Sequence, residues 1–310
     1  MDRTFEQDEG RIIGHLGLGR ANGHTGLLRV AAGDTIVARI EGRIALSLLG
    51  VDTPELSLPL PDSPHFVRTD DPTWQTFLED PFASNLPPIS LDGALRDYLA
   101  PRLGRASAAN HYRHAETAAR GLEAEIATDL AATGKAPEDL HLRVLFEREP
   151  LDAYGRMLGW ISVEDTGDWR PPTYNHRMMI KGLAMPYFIW PNVAPFRYEA
   201  RLRSAVPAPG SAAHIASTDE KLAQAREWYK SNREAGVGVF DPEDPLLLQP
   251  FELRYLAQRR APERWVIDLA KADDRLIPPQ RYFEIEHPED RLFVPDEYLE
   301  LFLARGWRKG

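Results

Sequence analysis

Asp34, Asp52 and Glu55 are the acids whose spacing could do chemistry. Asp34 opens a run rich in β-branched residues, Thr35 to Ile40, and Asp52 closes a second, Ile44 to Val51, with Glu41-Gly42 between them. The pattern predicts a β-hairpin, and antiparallel pairing would return both ends to one rim of the sheet. Asp52-Thr-Pro-Glu55 then stops the second strand, because proline has no N–H for the ladder and a fixed φ. Hard oxygen donors and a further carboxylate gather there, as a divalent cation with an activated water requires.

The elements that must position these groups follow in order. Leu27 to Val30 reads as the strand leading to Asp34. The glycines between Gly14 and Gly23 lack the Lys-Ser/Thr of a phosphate loop and read as a turn. Residues 56–109 form an insertion, proline-rich at first, with short helical pieces around Thr73 to Leu78 and Leu91 to Leu99. Leaving the chain directly after Glu55, it could be a lid, a substrate clamp or a contact for a protein partner or a second copy.

Ala115, Ala118, Ala119, Leu122, Ile126 and Leu130 recur at helical spacing, so His111 to Leu130 is expected as an amphipathic helix ended by Gly134. His111 and His114 read as exposed positions near its start. Strands are expected over Leu140 to Phe146 and Met157 to Val163, around an Asp152-Ala-Tyr-Gly turn with Arg156 just beyond. Helices are expected over Asn175 to Lys181, from Phe196 to Ser204, and from Thr218 to Glu234, where a Thr cap precedes acids in the first turn. Trp265 to Leu269, Tyr282 to Ile285 and a helix from Asp296 to Ala304 suggest a small C-terminal α/β element, and the acidic run Glu284 to Asp290 reads as a solvated turn.

Three ordered motifs, Gly33-Asp-Thr with Val51-Asp-Thr-Pro-Glu55, Tyr154-Gly-Arg156, and Gly182-Leu-Ala followed by Tyr187, Phe188 and Trp190, resemble the staphylococcal-nuclease (thermonuclease) family. The resemblance covers roughly residues 25–55 and 110–240. It implies an α+β fold, an OB-fold-like five-stranded β-barrel with packed helices. The expected division is a nuclease domain over 1–245, carrying the insertion, and a C-terminal α/β extension over 246–310.

The implied activity is metal-dependent hydrolysis of DNA or RNA phosphodiesters with little sequence preference. In that reading Asp34, Asp52 and the Thr53 carbonyl hold Ca²⁺, with Mg²⁺ or Mn²⁺ as alternatives, and Glu55 accepts a proton from the attacking water. Arg156 clamps the phosphate, Tyr154 adds a contact, and Phe188 and Trp190 fall where relatives stack a base. One departure is Ser47, which stands where the family has a second phosphate-binding arginine. A hydroxyl cannot supply guanidinium charge or fork geometry, and losing such a donor typically costs about a hundred- to a thousandfold in rate. Arg105 or Arg113 could fill that gap. A catalytically weak or inactive module for nucleic-acid or protein interaction is the alternative.

Composition bounds these readings. The 310 residues are 43% hydrophobic, enough for a real core, and contain no cysteine, which excludes disulfides and thiolate chemistry. A formal charge of −10 argues against coating nucleic acid by bulk electrostatics but not against a locally positive catalytic site. No apolar run approaches the ~20 residues of a membrane span, and the first residues lack the order of a secretion signal, so a cytoplasmic protein without membrane contact is expected.

Overall fold

Gly50 decides how the chain leaves the segment that carries the acids. Its φ of 76° lies in the left-handed region, and a Cβ there would come within 3.1 Å of both Met179 Cε and Trp160 Cη2. The expected strand Ile44 to Val51 is therefore broken into Leu46–Leu48 and Gly50–Asp52, which join different sheets. Leu46–Leu48 pairs in parallel with Met157–Gly159, whereas Gly50–Asp52 pairs antiparallel with Met185–Tyr187. In the first expected run, Thr35–Ile36 pairs with Val30–Ala32 and Ala38–Arg39 with Gly17–Leu18. The described parts of the expected hairpin thus take partners other than each other.

The computed structural model describes residues 5–8, 11–14, 17–18, 30–32, 35–36, 38–39, 45–61, 63–151, 156–164 and 171–310. It is a mixed α+β protein with several small open sheets. Asp34 and Tyr154 lie outside the described residues. So do the Glu41-Gly42 turn and the turn before Arg156. Among the described residues no helix is long and apolar enough to cross a membrane.

The chain forms two compact units: residues 1–48 with 144–159, and residues 49–143 with 160–310. The boundary expected after residue 245 falls inside the second of these. In the first unit, Phe5–Asp8 and Arg11–Gly14 form an antiparallel pair, and Leu142–Leu151, Met157–Val163 and Leu46–Leu48 form a three-stranded sheet that begins there.

The second unit is built on a sheet in the order Trp265–Asp268, Arg291–Val294, Met185–Ile189, Gly50–Asp52. Its central pair, Phe188–Ile189 with Leu292–Phe293, is parallel, and both outer pairs are antiparallel. All four residues of Arg291–Val294 are buried, as a central strand covered on both faces must be.

Tyr174–Ile180 packs against Gly50–Asp52 and Ala212–Thr218 against Trp265–Asp268, and Arg105–Thr133 packs on Tyr174–Ile180. Arg105–Thr133 ends at Gly134 in the left-handed conformation, as its sequence predicts. Tyr174–Ile180 follows, and the helix expected from Thr218 to Glu234 is Glu220–Ala235, preceded by a separate short helix, Ala212–Thr218. The second begins at Asp219, whose carboxylate accepts from the Leu222 amide, so the acid and not Thr218 is the cap. Tyr282 to Ile285, expected as a strand, lies in the 3₁₀ turn Pro279–Glu284 and its cap.

One core joins the insertion to the C-terminal segment. Leu58, Trp74, Leu78, Leu95 and Leu99 pack in the same cluster as Leu253, Leu256, Val266, Tyr282 and Phe293. The insertion's helices, Pro72–Glu79 and Gly93–Leu99, stand close to where they are expected. The acidic run is exposed at Glu284 and Glu286 but not at the expected turn: Pro288, Glu289 and Asp290 are buried, and the two acids pair with Arg233 and Arg226 of Glu220–Ala235.

Candidate functional site

Asp52 ends its strand opposite Met185, and Pro54 stops the ladder, so Glu55 stands on a turn at the sheet's edge. Two contacts fix that turn. The Glu55 amide donates to His111 Nε2 at 2.9 Å, and the Thr69 hydroxyl donates to the Glu55 carbonyl at 2.9 Å. His111 is fully buried, which corrects the exposed position expected for it. Because its ring accepts a hydrogen bond it is neutral. Burial first, then the Arg254 and His114 charges, push its pKa from the usual 6.5 down to about 3.

Arg254 completes the arrangement. Its Nη1 and Nη2 donate to Asp52 Oδ1 and Oδ2 at 2.7 and 2.8 Å, a two-pronged match of fork to carboxylate. Nη1 also donates to Glu55 Oε1 at 3.2 Å, so one guanidinium ties the two acids together. Side-chain exposures of 17% for Arg254, 9% for Asp52 and 19% for Glu55 place the cluster at the border of the core. Burial works against the charge on Arg254, yet Asp52 and Glu55 hold its pKa above the ordinary arginine value.

Tyr187 flanks the guanidinium at 5.9 Å and stacks on Phe251, which lies on the same helix as Arg254. Tyr229 donates to the Met185 carbonyl at 3.2 Å, and its phenol pKa is raised by burial and then by the Asp52 charge.

Sequence reasoning missed Arg254, His111 and Tyr187. A signal for the first existed: Gln249-Pro-Phe-Glu252 is a capping box with proline at the first helical position, and it opens the helix Pro250–Gln258 that delivers Arg254. Tyr187 alternates with buried Phe188, so the period of the strand places it on the Arg254 side.

Of the residues expected at the site, Asp52, Thr53 and Glu55 stand together in the second unit. Arg156 is half-buried at the start of Met157–Val163 and belongs to the first unit. Phe188 and Trp190 are core residues, 2% and 0% exposed. Tyr229 packs edge-on to Phe188, while Tyr298 and Phe302 pack against Trp190, whose indole N–H donates to the Ala205 carbonyl. Arg105 pairs with Glu79 and Arg113 with Asp244 at exposed positions of the second unit.

The fit of a divalent ion can be judged from this donor set. Both Asp52 oxygens face a fixed cation. An ion on the remaining lone pairs would stand a few ångströms from that guanidinium, where the repulsion is roughly twice the ~4 kcal/mol of two unit charges near a protein surface. While Arg254 holds this position, the described donors do not fit a metal ion. Among the described residues no group of three or more His, Cys, Asp or Glu side chains could hold one. No family model, no curated protein and no solved structure matches the chain.

Proposed function

We propose that the chain is a nuclease of the thermonuclease kind, a hydrolase of DNA or RNA phosphodiesters with little sequence preference. The observation that carries this reading is the meeting of Asp52 and Glu55 on one guanidinium at the border of the core. Proximity in the chain brings the two acids near each other, and a carboxylate beside a second acid is a pair that can serve as general base and donor to a cation in phosphodiester hydrolysis. In this reading the small sheets belong to an OB-fold-like barrel. Glu55 accepts the proton of the attacking water, and Arg156 grips the phosphate and neutralises its oxygens as charge accumulates. Asp34, Asp52 and the Thr53 carbonyl are its candidate donors for Ca²⁺, with both Asp52 oxygens occupied by Arg254 in this structure.

The test is incubation with single- and double-stranded DNA and with RNA, in Ca²⁺, Mg²⁺, Mn²⁺ or EDTA, beside Glu55→Gln. Removing a general base is expected to lower turnover by about 10²- to 10⁴-fold. Equal cleavage by wild type and variant would remove Glu55, and the reading, from consideration. A second reading, a catalytically weak or inactive interaction module, is favoured by the capture of Asp52 and by the placement of Phe188 and Trp190 in the core. It predicts no cleavage by either form.

A further inference from the structure

We propose that Arg254 is the resident cation of the Asp52–Glu55 site: its guanidinium holds the place a divalent ion would need, and an ion binds Asp52 only when that side chain is withdrawn. The proposal rests on the nuclease reading of these acids and adds to it a built-in competitor.

Three observations carry it. The first is chemical. Both guanidinium Nη atoms are spent on the two Asp52 oxygens, and Nη1 is shared with Glu55. A guanidinium so engaged turns its fork inward on the acids instead of outward toward a phosphate.

The second is mechanical. Arg254 rides on Pro250–Gln258, where Leu253 and Leu256 are fully buried and the Gln249–Glu252 capping box fixes the first turn. Glu252 itself accepts from the Tyr282 hydroxyl and the Gln249 amide, both at 2.8 Å. The backbone beneath Arg254 is therefore anchored in the core, and only the side chain is left to move. Among the described residues Arg254 is the cation that Asp52 meets, and neutral His111 adds no charge to replace it.

The third is independent of the acids. Tyr298 and Phe302, from the same C-terminal segment, cover Trp190, one of the two positions where the nuclease reading expects a stacked base. Residues 246–310 thus stand at both places, with a charge at one and aromatic rings at the other.

The test compares cation binding by the full chain and its variants, using calorimetric titration with Ca²⁺ and with Mn²⁺ and the melting temperature with and without ion. Arg254→Met should bind at least about tenfold more tightly than wild type and melt higher when Ca²⁺ is added. Adding Asp52→Asn to Arg254→Met should abolish the gain. Arg254→Lys, which keeps the charge but loses the fork, should gain less than methionine and supplies the comparison should Arg254→Met not fold.

Equal affinity in wild type and Arg254 variants would overturn the competition and leave the metal-dependent reading standing. Absence of binding in every form would remove both.

Discussion

His111 links the site to acid stability. It stays neutral in the fold down to about pH 3, whereas the unfolded chain takes up the proton near pH 6.5. The unfolded state binds more protons between those values, so the stability present above pH 6.5 is lost as pH falls toward 3. One such histidine contributes at most about 1.4 kcal/mol per pH unit. His176, its ring between Trp160 and Trp228, acts in the same sense: burial first, then the Arg197 and Lys221 charges, lower its pKa to about 4. Urea midpoints should therefore fall between pH 6 and pH 4.5, and His111→Gln, whose amide oxygen can still accept from the Glu55 amide, should flatten the fall by about half. An unchanged slope in the variant would show that His111 is not the group responsible. The acids of this site were legible because Asp52 and Glu55 are near neighbours in the chain. Arg254 was not, because its bond to Asp52 spans 202 positions and no local pattern records a contact of that range. His111 was misread although it stands one helical turn before Ala115, on the face whose periodicity defined the helix.

Helix Arg105–Thr133 shows how far periodicity reaches at the scale of elements. The alanine and leucine spacing placed its body and Gly134 its stop, but it starts at Arg105, ahead of the expected His111, and its buried face also carries charge. Glu125 and Asp129 meet Arg177 of Tyr174–Ile180 at 3.1 and 3.0 Å, with Lys181 also bonded to Glu125. The two helices are thus joined through an ion cluster on an otherwise apolar seam. Arg177→Met should destabilise the protein by about 3–5 kcal/mol, because Asp129, with no exposed side-chain surface, loses the guanidinium that offsets its desolvation. Adding Asp129→Asn should recover much of the loss, and denaturant titration of the single and double variants measures the difference. A single variant within about 0.5 kcal/mol of wild type would mean that water or Lys181 compensates. Long periodic helices were placed well, whereas short alternations such as Tyr282 to Ile285 and segments set by special backbone were not. Gly50 cuts a continuous apolar run in two, and Pro250–Gln258 is short enough that only its capping letters announce it.

The whole molecule differs most from its sequence reading in what belongs with what. Alternating motifs after residue 245 suggested an appended α/β element, yet Arg291–Val294 lies inside the main sheet, beside Met185–Ile189. The insertion and the C-terminal segment share one core, and the Asp92 amide of the insertion donates to Gln280 Oε1 at 2.7 Å. Linear order hides this because each segment alone is too short to bury its apolar face, and their complementarity exists only in the assembled core. The consequence is cooperative unfolding. Leu95→Ala, at a fully buried position of the insertion, should cost about 2–5 kcal/mol. Native-state hydrogen exchange should then show the same loss of protection in helix Pro250–Gln258 and strand Arg291–Val294, although neither is near residue 95 in sequence. If 246–310 were a separately folding piece, the amides of that helix and strand would keep their protection in the variant. Joint loss would instead show that the insertion and the segment bearing Arg254 open together, so that the guanidinium cannot leave Asp52 by detachment of a domain and must leave by rotation of its own side chain.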